Sequence, residues 1–320
     1  MSKIRTLSVM LTVLATSTGA HATSFTFESL NFPPSNGPVV RGTLAFGISD
    51  TGDIAGYFQD PTSRGFLDVA GTFSEIDYPT GLMFPTTEIH GVNNADQMVG
   101  LFRDAGGVLH GFLYDSGHFT QLDVPGSGLT NLTGINNSGT IAGLYSDSSF
   151  VFHGFVDAGG SFQTIDYPGA LQSTIWGISD AGDVVGSWFS APGALHGFVY
   201  HAGAFSSFDF PNALQTNAYG INNAGDVVGT YIDPSSQNHG FLYIGGQFIT
   251  LDDPNGTDTN AYGINDSGQV VGYYTDNRGR HGFLATPVAE AVPEPGTLLL
   301  FATALTGWLL VRKHIVTTSL

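Results

Sequence analysis

Apolar residues along most of this chain come in short runs with strand-like alternation, each cut off by glycine, proline, asparagine or aspartate. The stretch from Ala218 shows the unit. Strand a ends in Ala218-Tyr219-Gly220-Ile221, and Asn223-Ala224-Gly225 then supplies the residue types that tolerate the positive backbone angles of a tight turn. Strand b is the β-forming run around Gly229, and strand c is His239-Gly-Phe-Leu-Tyr. A Gly245-Gly246 turn leads to strand d, Phe248 to Asp252, before a proline-bearing loop returns the chain to the next strand a.

The phrase recurs. Its glycine opening stands at Gly47, Gly91, Gly134, Gly177, Gly220 and Gly263, spaced 44, 43, 43, 43 and 43 residues apart. Two hairpins and a long crossover, repeated six times, predict an all-β propeller with four-stranded antiparallel blades, strand a innermost and strand d outermost. Phase decides whether the array is open or closed. Phe25 to Asn31 matches strand d, whereas the last unit stops at His281-Gly-Phe-Leu, a strand c. An open stack would leave two half-units with bare edges, so the sequence predicts a six-bladed ring in which residues 24 to 31 complete the blade of residues 259 to 286. The recurring mid-strand glycines 56, 100, 143, 186, 229 and 272 are expected where blades pack tightly against one another.

The ends of the chain are of a different kind. Residues 1–22 have a basic start, an apolar run and small residues at Ala20 and Ala22, the pattern of a secretory signal cleaved after Ala22. Residues 23–287 are the expected propeller domain and 288–295 a linker containing Pro293-Glu294-Pro295. Residues 296–313 form a transmembrane sorting segment ending in Arg312-Lys313, and 314–320 a cytoplasmic tail. Gly296 to Val311 is 16 residues, about 24 Å of helix at about 1.5 Å per residue, a marginal fit to a hydrocarbon core of about 30 Å. The basic pair after it places the tail inside and the array outside.

The VPEPGT, apolar segment, basic cluster order over Val292 to Lys313 resembles the PEP-CTERM sorting signal. That resemblance implies export by a Gram-negative bacterium that makes exopolysaccharide, with an exosortase-type enzyme as processing partner. The GIN and HGF phrases from Gly47 to Phe283 are similar to the HAF-type extracellular repeat. This second resemblance implies an exported repeat protein and no particular chemistry.

Composition narrows the functions. There are no cysteines, so disulfides and thiol-ligated metals are excluded. Residues 23 to 291 hold 26 acids against five arginines, net −21, which argues against nucleic acid and anionic lipid as partners. Calcium is the one cofactor this charge would favour. No other is expected.

Candidate site residues occur at repeated positions. Phe46, His90, Trp176, Tyr219 and Tyr262, with Thr133 at the equivalent place, stand just before the strand-a glycine. They are either an aromatic collar around the central funnel, able to stack sugar rings, or core packed between blades, which is the commoner use of such residues. His110, His153, His196, His239 and His281 open strand c, with Arg64 in the first unit. One per blade, they stand too far apart to converge on one ion and are expected to bond neighbouring loops. Asp77, Asp123, Asp166, Asp209 and Asp252, with Asn31, precede a proline by two residues and are expected to accept backbone N–H bonds. The Asp253 to Asp258 loop lacks the acid needed at the last position of a calcium loop, Ile264 standing there. No unit carries a recognisable catalytic motif, and no catalytic or metal-ligating residue is assigned. The expected function is a structural or binding role at the cell exterior, with a carbohydrate-binding module and an exopolysaccharide hydrolase as alternatives.

Overall fold

Each repeat folds as its own sheet because strand c is flanked by b and d through short turns, and six such sheets form. The structure is a computed structural model that describes residues 24–32, 42–83, 85–191 and 193–288. The predicted cleavage residues Ala20 and Ala22, the motif residues Pro293, Glu294, Pro295, Arg312 and Lys313, and the transmembrane segment lie outside these. Among the described residues no helix is long and apolar enough to cross a membrane. The first blade runs Thr43–Ile48 (a), Ile54–Gln59 (b), Ser63–Val69 (c) and Thr72–Ile76 (d), all antiparallel.

The sixth blade is composite. Asp258–Ile264, Val270–Asp276 and Gly279–Pro287 supply strands a to c, and Phe25–Leu30 supplies strand d in continuous register from Phe25 opposite Pro287 to Leu30 opposite Gly282. The ring therefore closes through strand pairing, leaving no unpaired edge between the first strand and the last. Both ends of this seam, Phe25 and Pro287, lie at the end of the propeller where the a–b turns are.

The core repeats with the sequence. The phenylalanine of each HGF phrase, at 112, 155, 198, 241 and 283, is fully buried, as is Phe66 of the matching Arg64-Gly65-Phe66. Its preceding glycine is required by space: at Gly65, Gly111 and Gly240 a Cβ would come within 2.4 to 2.5 Å of a strand-d carbonyl oxygen. The mid-strand glycines prove to have a cause other than blade-to-blade packing. Every strand a is bulged just before its repeated glycine, and its carbonyl leans over strand b of the same blade. A Cβ on Gly100, Gly186, Gly229 or Gly272 would meet that oxygen at 1.9 Å. Close contact between blades is made instead by the strand-a glycines. Gly47 faces Gly91, Gly91 faces Gly134, and so on to Gly263, with a built Cβ at 3.0 to 3.5 Å from the next glycine's Cα, and Gly263 closes the circle against the Phe46 carbonyl and Ile48 N.

Blades are also joined at their outer corners. Each d–a loop donates a backbone N–H to the hydroxyl that opens the next strand a, as from Phe32 to Thr43, Tyr78 to Thr87 and Phe210 to Thr216, at 2.9 to 3.0 Å. The aromatic residue there stacks on the next blade's strand b: Phe32 on Phe58, Tyr78 on Phe102 and Phe210 on Tyr231, at 3.6 to 3.9 Å. Val124 and Asp253 occupy this slot in the two units that lack a ring.

Candidate functional site

Sixfold repetition puts one side chain per blade at every level of the axis, so the axis is where repeat positions converge. At one end the six residues before the strand-a glycine line a cavity of about 530 Å³ counting its open mouth. Phe46, His90, Trp176, Tyr219 and Tyr262 thus form the collar, in contact with one another as well as with the cavity. Ring centroids are 4.2 Å apart for Phe46 and Tyr262, 4.5 Å for Tyr219 and Tyr262, 5.1 Å for Phe46 and His90, and 5.4 Å for Trp176 and Tyr219. Thr133 interrupts the arc. Its hydroxyl donates to the Ile175 carbonyl at 2.9 Å, so Trp176 has a ring on one side and a small residue on the other.

Behind the collar the wall is unequal. His90 meets Asn131 Oδ1 through Nδ1 at 2.9 Å and Glu88 through Nε2 at 3.6 Å. Burial acts to raise the Glu88 carboxyl, but its bonds to His90 and Ser63 and the charges of His90 and Arg103 prevail and hold it below the usual carboxylate range. Tyr57 stacks on Phe46 and Tyr273 on Tyr262, and burial pushes the phenols of Tyr57, Tyr219 and Tyr262 upward, keeping them neutral donors. The positions equivalent to Glu88 in the next three blades are Asn131, Thr174 and Asn217, all neutral. Glu88, Tyr57 and Tyr273 were absent from the sequence-level candidates. The signal available was a break in the repeat: Glu88 stands where other units carry leucine, threonine or asparagine.

Ile48, Val92, Ile135, Ile178, Ile221 and Ile264 border both this cavity and a second one of about 350 Å³ at the other end of the axis. There the turn residues Asp50, Asn94, Asn137, Asp180, Asn223 and Asp266 make a closed ring. Each backbone N–H donates to the Oδ1 of the next residue in that order, and Asp266 returns to Asp50, all at 2.7 to 2.9 Å. The turn each residue belongs to needs a positive φ three residues after the GI pair's polar successor, met by glycine at 52, 139, 182, 225 and 268 and by Asp96 at φ 56°. Asp50, Asp180 and Asp266 bring carboxylate oxygens within 4.8 Å of one another, the arrangement a calcium ion would need. Yet ring amides already donate to them, Asn223 Nδ2 reaching Asp180 at 3.0 Å and Asp266 at 2.7 Å. The Asp253 to Asp258 loop is a turn in which Asp253 accepts from the backbone and side chain of Asn255.

The strand-c histidines stay one per blade. Each bonds its strand-d partner through Nδ1: His110 to Asp123, His153 to Asp166, His196 to Asp209, His239 to Asp252 and His281 to Asn31, at 2.7 to 3.0 Å. The same aspartates accept the N–H of the next glycine at Gly111 and Gly154, and Arg64 takes the histidine's part toward Asp77. Nε2 of His239 approaches Asp233 in the b–c loop at 3.6 Å.

This pair yields a pH prediction. Burial lowers the His239 imidazolium, but Asp252 and Asp233 outweigh it and raise the group above its ordinary 6.5. A raised histidine stabilises the fold fully below 6.5 and ceases to do so as pH rises through its folded value. Asp233 is lowered, first by the Gln237 N–H, so its contribution is present above 3.8 and lost in stronger acid. The melting-temperature difference between wild type and His239→Gln is expected to be largest below pH 6.5 and to vanish in alkali. That for Asp233→Asn should vanish in acid. Thermal melts across pH 2 to 10 check both.

Comparison with known proteins divides the chain in two. Residues 291–313 match the PEP-CTERM protein-sorting motif. The chain therefore carries a signal for export to the cell surface or beyond. A search of curated proteins finds no match. Among solved structures, AofleA from Arthrobotrys oligospora is similar at 12% identity over 84% of this chain and 94% of that one, with a TM-score of 0.51. An Aleuria aurantia lectin bound to α-methyl-L-fucoside matches at 10% identity over 80% and 99%, TM-score 0.48, and a Trypanosoma rangeli sialidase at 9% over 89% and 60%, TM-score 0.46. At these identities the likeness to AofleA speaks to the fold alone.

Proposed function

We propose that this is a surface or matrix protein of an exopolysaccharide-making Gram-negative bacterium, delivered by an exosortase-type system, whose propeller binds glycan in its axial funnel. The collar is the observation that carries this reading. An aromatic arc with one gap, backed by amides, hydroxyls and a carboxylate, offers a face for the C–H side of a pyranose and partners for its hydroxyls. The funnel end is also the one that the b–c and d–a loops surround. Neither strand end of the closing seam lies there, and its loops carry the exposed apolar residues Val108, Phe150, Leu171 and Leu214. The HAF-like repeats fit the same setting.

Glycan-array binding followed by calorimetry tests the proposal. Trp176→Ala is expected to weaken the best ligand about 10- to 30-fold, equivalent to about 1.4–2 kcal/mol, with little change in melting temperature. Unchanged affinity would rule out the collar as the site. One observation favours a hydrolase instead, namely Glu88 beside the collar. Reducing-end release from purified polysaccharide, abolished by Glu88→Gln, would establish that reading. Absence of both binding and release would leave a structural role.

A further inference from the structure

Charge accounting around the funnel singles out one side chain. Of the arginines among the described residues, Arg64 is paired with Glu75 and Asp77, and Arg278 with Asp276. Arg103 and Arg280 form no ion pair among the described residues, in a chain whose acids far outnumber its bases. Both stand at the strand ends on the funnel side of the propeller, outside the cavity lining. Arg103 acts on Glu88, whose charge His90 also offsets. Arg280 has no such carboxylate among the described residues.

Arg280 is nevertheless held in place. Its stem lies against Gly42, where an added Cβ would come within 3.2 Å of the arginine's own Cβ, and its guanidinium stands 5.4 Å from the centroid of Tyr273. Tyr273 stacks on Tyr262 at 5.9 Å, and Tyr262 lines the cavity. Arg280 also acts on Tyr57, the ring that backs Phe46. A cationic fork is thereby set on an aromatic base one ring back from the cavity lining, on the seam between the closing blade and the first.

We propose that the funnel takes a carboxylate-bearing sugar, its ring on the collar and its carboxylate held by Arg280. This rests on the glycan-binding reading above and names the ligand class. A guanidinium matches a carboxylate through two parallel N–H···O bonds, and a base of stacked rings limits the freedom lost on pairing. Neutral sugars share the stacking and forgo only the ion pair, which makes Arg280 a specificity residue. The acidic surface elsewhere repels a polyanion, so selection falls to this one point.

The test uses the full-length exported protein and a panel of oligouronates, each with its carboxyl-reduced neutral counterpart, titrated by calorimetry. Wild type should bind at least one acidic member about tenfold more tightly than its reduced partner, with the gap narrowing as salt is raised. Arg280→Gln should bring the two affinities together at the neutral value, and Arg280→Lys should keep part of the gap. Equal affinities in wild type, or a gap that survives Arg280→Gln, would overturn the proposal while leaving the funnel reading in place. Weakening of both ligands by Trp176→Ala, by about 10- to 30-fold, supports that underlying reading. No binding of any panel member, acidic or neutral, overturns both.

Discussion

A chain shortened to begin after Phe32 is expected not to fold to a compact monomer. The removed segment carries Phe25, Phe27, Leu30 and Phe32, and with it the whole outer strand of the closing blade. Phe27 meets Phe283 edge-on at 5.5 Å, and Phe32 stacks on Phe58 at 3.9 Å across the seam to the first blade. Fully burying a large apolar side chain stabilises by about 1.5–3 kcal/mol, so the buried Leu30 and Phe32 account for roughly 3–6 kcal/mol, and the half-buried Phe25 and Phe27 add to that before the ladder bonds are counted. The whole stability of an ordinary domain is only about 5–15 kcal/mol. Deletion also leaves Gly279–Pro287 as a bare edge, open to pairing with other chains. Circular dichroism and gel filtration should show a poorly structured, associating species. A peptide of residues 24–32 added in trans should restore cooperative melting. A stable monomer without either would mean that the Asx ring and the glycine contacts close the propeller by themselves.

The second large effect is expected at the mid-strand glycines. Gly229→Ala places a methyl where the Asn217 carbonyl oxygen stands at 1.9 Å and the Phe241 ring at 2.8 Å. Neither can withdraw cheaply, because the carbonyl belongs to the innermost strand beside its bulge and the ring is fully buried in its blade. Overpacking of this kind costs about 1–3 kcal/mol and more where backbone must move. For a domain of this size that is a fall in melting temperature of about 2–4 °C per kcal/mol, so about 6–12 °C for a cost near 3 kcal/mol. Gly225→Ala is the control, since its φ of +81° strains a side chain but no atom lies within 4 Å of the added methyl. A smaller drop for Gly229→Ala than for Gly225→Ala would show that the bulge yields more readily than its geometry implies.

These two cases show what was legible in the chain and what was not. Periodicity sufficed for the six blades, their strand order and the closing strand, because a repeat that cannot bury its own face must stack, and a half-unit at each end must find the other. The HGF phrase and its aspartate were legible as a pair only in part. Spacing suggested a turn, whereas the bond from histidine Nδ1 crosses between two strands that sequence separation cannot align in detail.

The reason for Gly229 was misassigned from sequence, since both a neighbouring blade and a bulged strand forbid a Cβ and only coordinates tell them apart. The collar was named from its position before the glycine, but whether those rings face the axis or the core depends on the bulge, which turns the pleat by one residue. Glu88, Arg280 and the hydrogen-bonded Asx ring come from different blades, distant in the chain. What the sequence by itself determined is therefore the repeating unit, the closure and the C-terminal sorting motif, all properties of local pattern and phase. Tertiary structure alone decided which repeated side chains meet at the axis, because convergence there depends on blade twist and on contacts across seams that no single unit contains.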